Sequence, residues 1–191
     1  MDTSKHGYPR PLILKNGEEV WLRLLDSAQD EQRIFDFYGR LSEDDHWYLW
    51  HDVSDEKVVR ECILGYDRRL VLPVVAVNEN DDIVGKGTLY RHFPGARGHI
   101  TRVRVVLDPV YRNQRLGTYL LMDLIQLSMN LGLKIIMADF IKGVEDYAIR
   151  AARKLDFFEQ AVIPDYAKDR RGNNYDLVFM IKRIHSGYDD F

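Results

Sequence analysis

Cysteine is nearly absent: Cys62 is the only one in 191 residues. No intrachain disulfide and no cysteine-rich zinc site can form from it, which fits a reducing compartment. No apolar run approaches the ~20 residues needed to cross a bilayer. The opening Met1-Asp2-Thr3-Ser4-Lys5-His6-Gly7-Tyr8 has no apolar core of a signal peptide, so a cytoplasmic protein with no membrane role is expected. Excess charge is lacking too: 27 Lys and Arg stand against 30 Asp and Glu, a formal charge of -3. That balance argues against nucleic-acid binding through bulk charge. Repeats, low-complexity tracts and a Gly/Ser/Pro-rich linker are all missing, which favours a single domain.

What is present is alternation of strand and helix. Val20-Trp21-Leu22-Arg23-Leu24-Leu25 reads as a strand, followed by a helix over 27–41 that Asp26 or Ser27 caps. A short helix from Ser54 is expected to bury Val58, Val59, Cys62 and Ile63. Strands follow at 70–77, 83–90 and 99–107, with Gly85 and Gly87 as points of bulging or close approach. Leu116, Leu120, Leu124, Leu127 and Leu131 then repeat at the spacing of one buried helical stripe, which Gly132 ends. A strand at 134–140, a helix at 145–155 and strands at 157–163 and 175–181 complete an α/β chain with a mixed sheet. Residues 1–18 read as a flexible lead-in, 19–185 as the domain and 186–191 as a tail.

The most informative stretch is 103–121. A buried strand stops at Asp108-Pro109, and a loop carrying Arg112, Gln114 and Arg115 leads into the leucine-striped helix. Free amides at a helix N-terminus and the helix dipole attract an anion, and two arginines can grip phosphate oxygens. Gly117 lets backbone come close to such a ligand. The physical reading is a pyrophosphate cradle; the plain alternative is a strand-to-helix junction with a solvated basic loop.

The stretch resembles the acyl-CoA-binding motif of the GNAT superfamily of N-acetyltransferases. Leu107-Asp108-Pro109 and Arg112-Asn113-Gln114-Arg115-Leu116-Gly117 occupy the places of its V-x-P strand end and its R/Q-x-x-G-x-G/A loop. Residues 148–157, Ala-Ile-Arg-Ala-Ala-Arg-Lys-Leu-Asp-Phe, echo the family's A-I-x-L-Y-E-K-L-G-F ending. Leu41-Ser42 after the first helix looks most like the acetyltransferase domain of bacterial protein-lysine acetyltransferases. The resemblance implies a GNAT-like mixed central sheet flanked by helices, with strands 103–107 and 134–140 parallel and splayed to admit a ligand. It also implies acetyl-CoA, or another acyl-CoA, as co-substrate and no metal. The cofactor would lie on Val105, Val106 and Leu107 through backbone pairing, and on Arg112, Asn113, Gln114, Arg115, Leu116, Gly117 and Thr118 at the cradle.

Three positions depart from the family. Arg115 stands at the first loop glycine. Many relatives place a base Glu seven residues before the proline, where this chain has Arg102, and others use the next slot, here Val103. The acid Tyr five residues before the closing Phe is replaced by Ala152. His99, Glu145 and Tyr147 lie near the expected cleft in sequence order and are the candidates for a replacement base; each also has a plainer role, at a strand start, at a helix opening and as a packed ring.

On the acceptor side, residues 42–61 hold seven acids against Lys57 and Arg60, with His46, Trp47, Tyr48, Trp50 and His51 among them. Acids and aromatics together suit a cationic amine; equally, the rings cover the sheet while the acids face water. The two histidines, five apart, have a poor helical metal spacing. The basic end of loop 165–172 suits the adenosine phosphate or an acidic substrate. The leading reading is an acyl-CoA-dependent N-acetyltransferase acting on an amine of a small molecule or a protein lysine. The alternative is a non-catalytic acyl-CoA-binding regulatory module. Arg102 is expected either to pair with an acid from 42–61 or to face the cleft and select an anionic acceptor. A homodimer is an open option.

Overall fold

The computed structural model describes residues 7–92 and 94–184. Eight strands form one sheet in the order β1-β2-β3-β4-β5-β6-β8-β7. They are β1 (Arg10–Ile13), β2 (Glu19–Leu24), β3 (Val71–Val77), β4 (Ile83–Arg91), β5 (Ile100–Leu107), β6 (Ile135–Ile141), β7 (Phe158–Lys168) and β8 (Asn174–Arg183). Among the described residues only β5 and β6 pair in parallel. The helices are α1 (Glu31–Gly39), α2 (Glu43–Trp47), α3 (Glu56–Val58), α4 (Leu116–Asn130) and α5 (Asp146–Lys154). This is the mixed sheet with flanking helices expected from the sequence.

Strand alternation divides the core into two layers. On β3, Leu72, Val74 and Ala76 pack in the layer that holds Leu116, Leu120, Leu124 and Leu127 of α4. Val75 and Val77 point the other way, into the layer of Ile34, Phe37 and Tyr38 of α1. Close seating of α4 depends on β4: a Cβ at Gly85 would stand 3.0 Å from Leu120 Cδ1, and one at Gly87 would stand 3.1 Å from Leu124 Cδ1. The two glycines are points of close approach.

Several expectations need correction. Residues 10–13, assigned to the lead-in, form β1 against β2; Pro11 is tolerated there because an edge strand can lose a donor. Buried Tyr8 donates to Asp123 of α4, and Arg10 pairs with the same carboxylate at 2.7 Å. The first helix begins at Glu31, after Asp30. The Asp26 carboxylate instead accepts from the Ala28 amide, and Asp30 is taken by Arg23 at 2.6 and 2.7 Å. The short α3 runs on as a π-helical turn over Val59–Leu64, closed by the Gly65 amide on the Arg60 carbonyl. That wider turn shifts the inward phase to Val59, Ile63 and Leu64. Cys62 is therefore exposed, and Val58 is only half-buried. β7 extends to Lys168 and takes up the first part of the expected loop 165–172. The tail at 186–191 lies outside the described residues.

Candidate active site

The parallel pair β5 and β6 is bonded only at Ile100↔Ile135, Thr101↔Ile136 and Arg102↔Met137. Past that point β5 stays on β4 as far as Leu107↔Gly85, and β6 stays on β8 as far as Ile141↔Leu177. Residues 103–107 thus present one strand edge with no neighbouring strand among the described residues, at a wedge that opens toward α4. Val103, Val105 and Leu107 join the α4 layer, so an extended ligand arm can add its own amides to this edge.

At the open end the chain turns into α4 through two left-handed residues, Asn113 (φ 62°) and Arg115 (φ 69°). Arg115 is the N-cap, and no side chain caps the helix. The first-turn amides are left for a ligand. Gly117 has a more local role than the sequence suggested: a Cβ there would stand 3.2 Å from Leu107 Cδ1, so the bare position seats α4 on the end of β5. The backbone at Arg115 is left-handed, a conformation that glycine adopts without strain, which accounts for the glycine at this place in the motif the loop resembles.

The loop is pinned from three sides. Asp108, 3% exposed, accepts from the Val110 amide at 3.0 Å and from Arg40 Nε at 2.5 Å; Arg40 also donates to the Ile83 carbonyl at 2.6 Å. The Lys15 amide donates to the Gln114 carbonyl, and Tyr111 Oη to Glu18 at 2.6 Å. Arg112 pairs with Asp45 of α2 at 2.7 Å and reaches the Leu107 carbonyl at 3.4 Å. Burial raises the Asp45 pKa, but the Ser42 hydroxyl and amide and the Arg112 guanidinium outweigh it and hold the carboxyl below its ordinary value. Arg112 is thus a brace between α2 and the loop.

α2 was not foreseen, although Ser42-Glu43-Asp44-Asp45 carries a sequence signal. The Ser42 hydroxyl accepts from the Asp45 amide while the Asp45 carboxylate accepts from the Ser42 amide, a closed capping box. The helix bridges to the late hairpin: Trp47 Nε1 donates to the Lys168 carbonyl at 2.6 Å, and Glu43 pairs with Arg170. Asp45, Glu43 and Glu56 are matched by Arg112, Arg170 and Arg60, so these acids are not left for a cationic amine. His46 Nε2 donates to the Tyr38 carbonyl at 2.8 Å and its Nδ1 lies 3.1 Å from Ser54 Oγ, and no cluster fit to hold a metal occurs among the described residues.

Arg102 and Arg104 share the face opposite α4. Arg102 pairs with Asp139 of β6 at 2.6 Å and stacks on Trp50, 4.3 Å from the ring centroid. Its carboxylate partner therefore comes from β6; segment 42–61 supplies the aromatic lid. Arg104 crosses the wedge to Glu145 at 3.0 Å and reaches the Asp139 and Tyr48 carbonyls.

The candidate bases fare as follows. Glu145 is engaged by Arg104 and accepts from the Ile141 amide at 2.8 Å, so it braces the wedge. Tyr147 is 72% exposed, under the guanidinium of Arg150. His99 is exposed, and its carbonyl accepts from Lys134 at the closed end of the wedge, seven residues of strand away from Leu107. Ala152, at the family's tyrosine slot, is fully buried. A shallow groove of about 400 Å³ between α5 and β7, lined by Lys142, Ile149, Arg153 and Val162 among others, includes no cradle residue.

Residues 21–157 match the acetyltransferase (GNAT) family. The chain belongs to the GNAT family of acetyltransferases. A search of curated proteins finds no match. Solved structures share the fold at low identity. The GNAT superfamily phosphinothricin acetyltransferase of Sinorhizobium meliloti, in complex with acetyl-CoA, is 19% identical with a TM-score of 0.69, over 93% of this chain and 92% of that one. The yncA protein of Salmonella typhimurium, solved with acetyl-CoA, is 20% identical with a TM-score of 0.67, over 88% and 96%. The GNAT domain of S. lividans PAT is 10% identical with a TM-score of 0.72, over 92% and 96%. The wedge and uncapped helix of this GNAT chain are a physical fit for the acetyl-CoA found in two of these relatives: a free strand edge for an amide-bearing arm and free amides for an anion.

Proposed function

We propose that the protein is an acetyl-CoA-dependent N-acetyltransferase acting on an amine of a small molecule or a protein lysine. One observation carries this reading: the unpaired β5 edge ends at the uncapped N-terminus of α4. Amides of residues 114–118 receive the pyrophosphate, and the backbone of 105–107 receives the pantetheine arm. The thioester then lies toward the point of the wedge, near residues 103–104. A backbone N–H of β5 polarises the thioester carbonyl. The neutral amine attacks that carbon, the C–N bond forms, the C–S bond breaks, and the departing thiolate takes up the proton the nitrogen loses.

The family's base slots hold no carboxylate, and the two acids that border the wedge among the described residues are each held by an arginine. Arg102 and Val103 stand at the family's base slots, Asp139 is held by Arg102, and Glu145 by Arg104. The amine must therefore arrive neutral, which for an alkylamine near pKa ~10.4 is about one molecule in a thousand at neutral pH. Thiol release from acetyl-CoA across a panel of alkyl and aromatic amines tests this. The rate should rise tenfold per pH unit below the amine's pKa, and an aromatic amine should lose that dependence near neutrality. A protein that binds acetyl-CoA and turns over no amine is the regulatory module instead.

A further inference from the structure

On the face opposite α4, β4 presents Lys86, Thr88 and Tyr90 beside Val106, Arg104 and Arg102 of β5, in the register Lys86↔Val106, Thr88↔Arg104 and Tyr90↔Arg102. Trp50 lies over this face, with its ring 5.2 Å from that of Tyr90 and against Arg102. His51 joins it: burial, and then the nearby Lys86 ammonium, lower the His51 pKa. The same face carries the two arginines that border the wedge where the thioester is placed.

Five charged side chains are buried among the described residues: Asp30, Lys86, Asp108, Asp123 and Asp139. Four are matched, by Arg23, Arg40, Arg10 and Arg102. Lys86, 5% exposed, is the exception, with no hydrogen-bond or ion-pair partner among the described residues. Burial alone acts on it and pulls its pKa down to about 8. In the next row Nε of Arg104 is buried without an acceptor, although its terminal nitrogens are engaged. Arg91 Nε is also unpartnered, but it belongs to the far end of β4, opposite Thr101. A buried donor left unsatisfied is costly, and a buried charge without a countercharge more so. An unneutralised lysine and an unsatisfied guanidinium nitrogen in neighbouring rows of paired strands, on one face of the sheet, call for an anion that arrives with a ligand.

We propose that Lys86 and Nε of Arg104 receive an anionic group of the acceptor, so that the acetylated molecule is a small amine that also carries a carboxylate or a phosphate. This rests on the N-acetyltransferase reading and narrows its substrate class. The anion supplies the countercharge Lys86 lacks and positions the amine beside the thioester. Arg102 takes no part, because Asp139 already neutralises it.

Two matched pairs test the inference in thiol release from acetyl-CoA: glycine with glycinamide, and phosphoethanolamine with ethanolamine. They are run on the native protein, Lys86→Met and Lys86→Gln, with acetyl-CoA affinity measured by calorimetry for each. In the native protein the acidic member of at least one pair should show a kcat/KM at least tenfold above its neutral partner. The glycine pair reports a carboxylate site and the ethanolamine pair a phosphate site. That preference should fall below twofold in whichever Lys86 variant folds, with acetyl-CoA affinity within twofold of native. Equal use of acidic and neutral members, a preference that survives loss of Lys86, or no turnover of any member by a protein that binds acetyl-CoA overturns the inference alone. Failure to bind acetyl-CoA overturns the function on which it rests as well.

Discussion

At the scale of single residues, Lys86 is the position where chemistry and stability pull in opposite directions. Its pKa is lowered from 10.5 to about 8 by burial. Between those values the unfolded chain binds the proton that the folded chain has lost, so stability rises with pH across that window. Below pH 8 both states are protonated and the burial penalty is present in full. Tyr8, Tyr38 and Tyr90 have pKa values raised chiefly by burial and oppose the trend only above about pH 10, where free tyrosine ionises. Urea unfolding of the native protein and Lys86→Met at pH 7.5 and 9.5 checks this. The native protein should gain about 2 kcal/mol relative to the variant over that interval. Parallel pH dependence would mean that Lys86 is satisfied in the fold. A lysine inside Val84-Gly85-Lys86-Gly87-Thr88-Leu89 was visible in the sequence as a charge within a strand; the lack of any partner for it depends on three-dimensional packing.

At the scale of elements, local rules account for what the sequence revealed. Leucine spacing located α4, and apolar β-branched runs located the central strands. β1 was hidden because Pro11, with Pro9 just before the strand, looks like part of a lead-in until the strand is known to be an edge. The inward face of 59–64 was misassigned because a π turn does not keep the 3.6-residue period. α2 is five residues long and too short for periodicity, so only its capping box marks it. The cradle was legible as a strand-loop-helix junction, whereas the braces on Arg112, Asp108 and Glu145 come from residues far apart in sequence. Arg115 shows what such a junction demands. Its φ of 69° costs a non-glycine residue about 1 kcal/mol. Arg115→Gly should therefore stabilise the protein by roughly 0.5–1 kcal/mol, read from the urea midpoint at unchanged slope. Destabilisation would show that the guanidinium has a structural partner.

At the scale of the whole molecule, the sheet is held closed at one end and open at the other. Three parallel pairs join β5 to β6, and Arg102 on Asp139 and Arg104 on Glu145 tie the two halves across the widening gap. α2 links the cradle loop to the β7–β8 hairpin, so the walls of the wedge are braced to each other. Among the described residues no helix is long and apolar enough to cross a membrane.

If the first turn of α4 and the free β5 edge bind the CoA thioester, calorimetric titration of acetyl-CoA into the native protein and Thr118→Glu separates the two proteins. Thr118 is the third residue of α4 and half-buried. A carboxylate there suits the helix dipole, so the fold should be kept, with a thermal midpoint equal or higher. The same carboxylate would occupy the phosphate position. One acetyl-CoA should bind per native chain, with at least a tenfold loss of affinity in Thr118→Glu at an unchanged or raised midpoint; equal affinity in the two proteins, or no binding to the native one, would rule out this site.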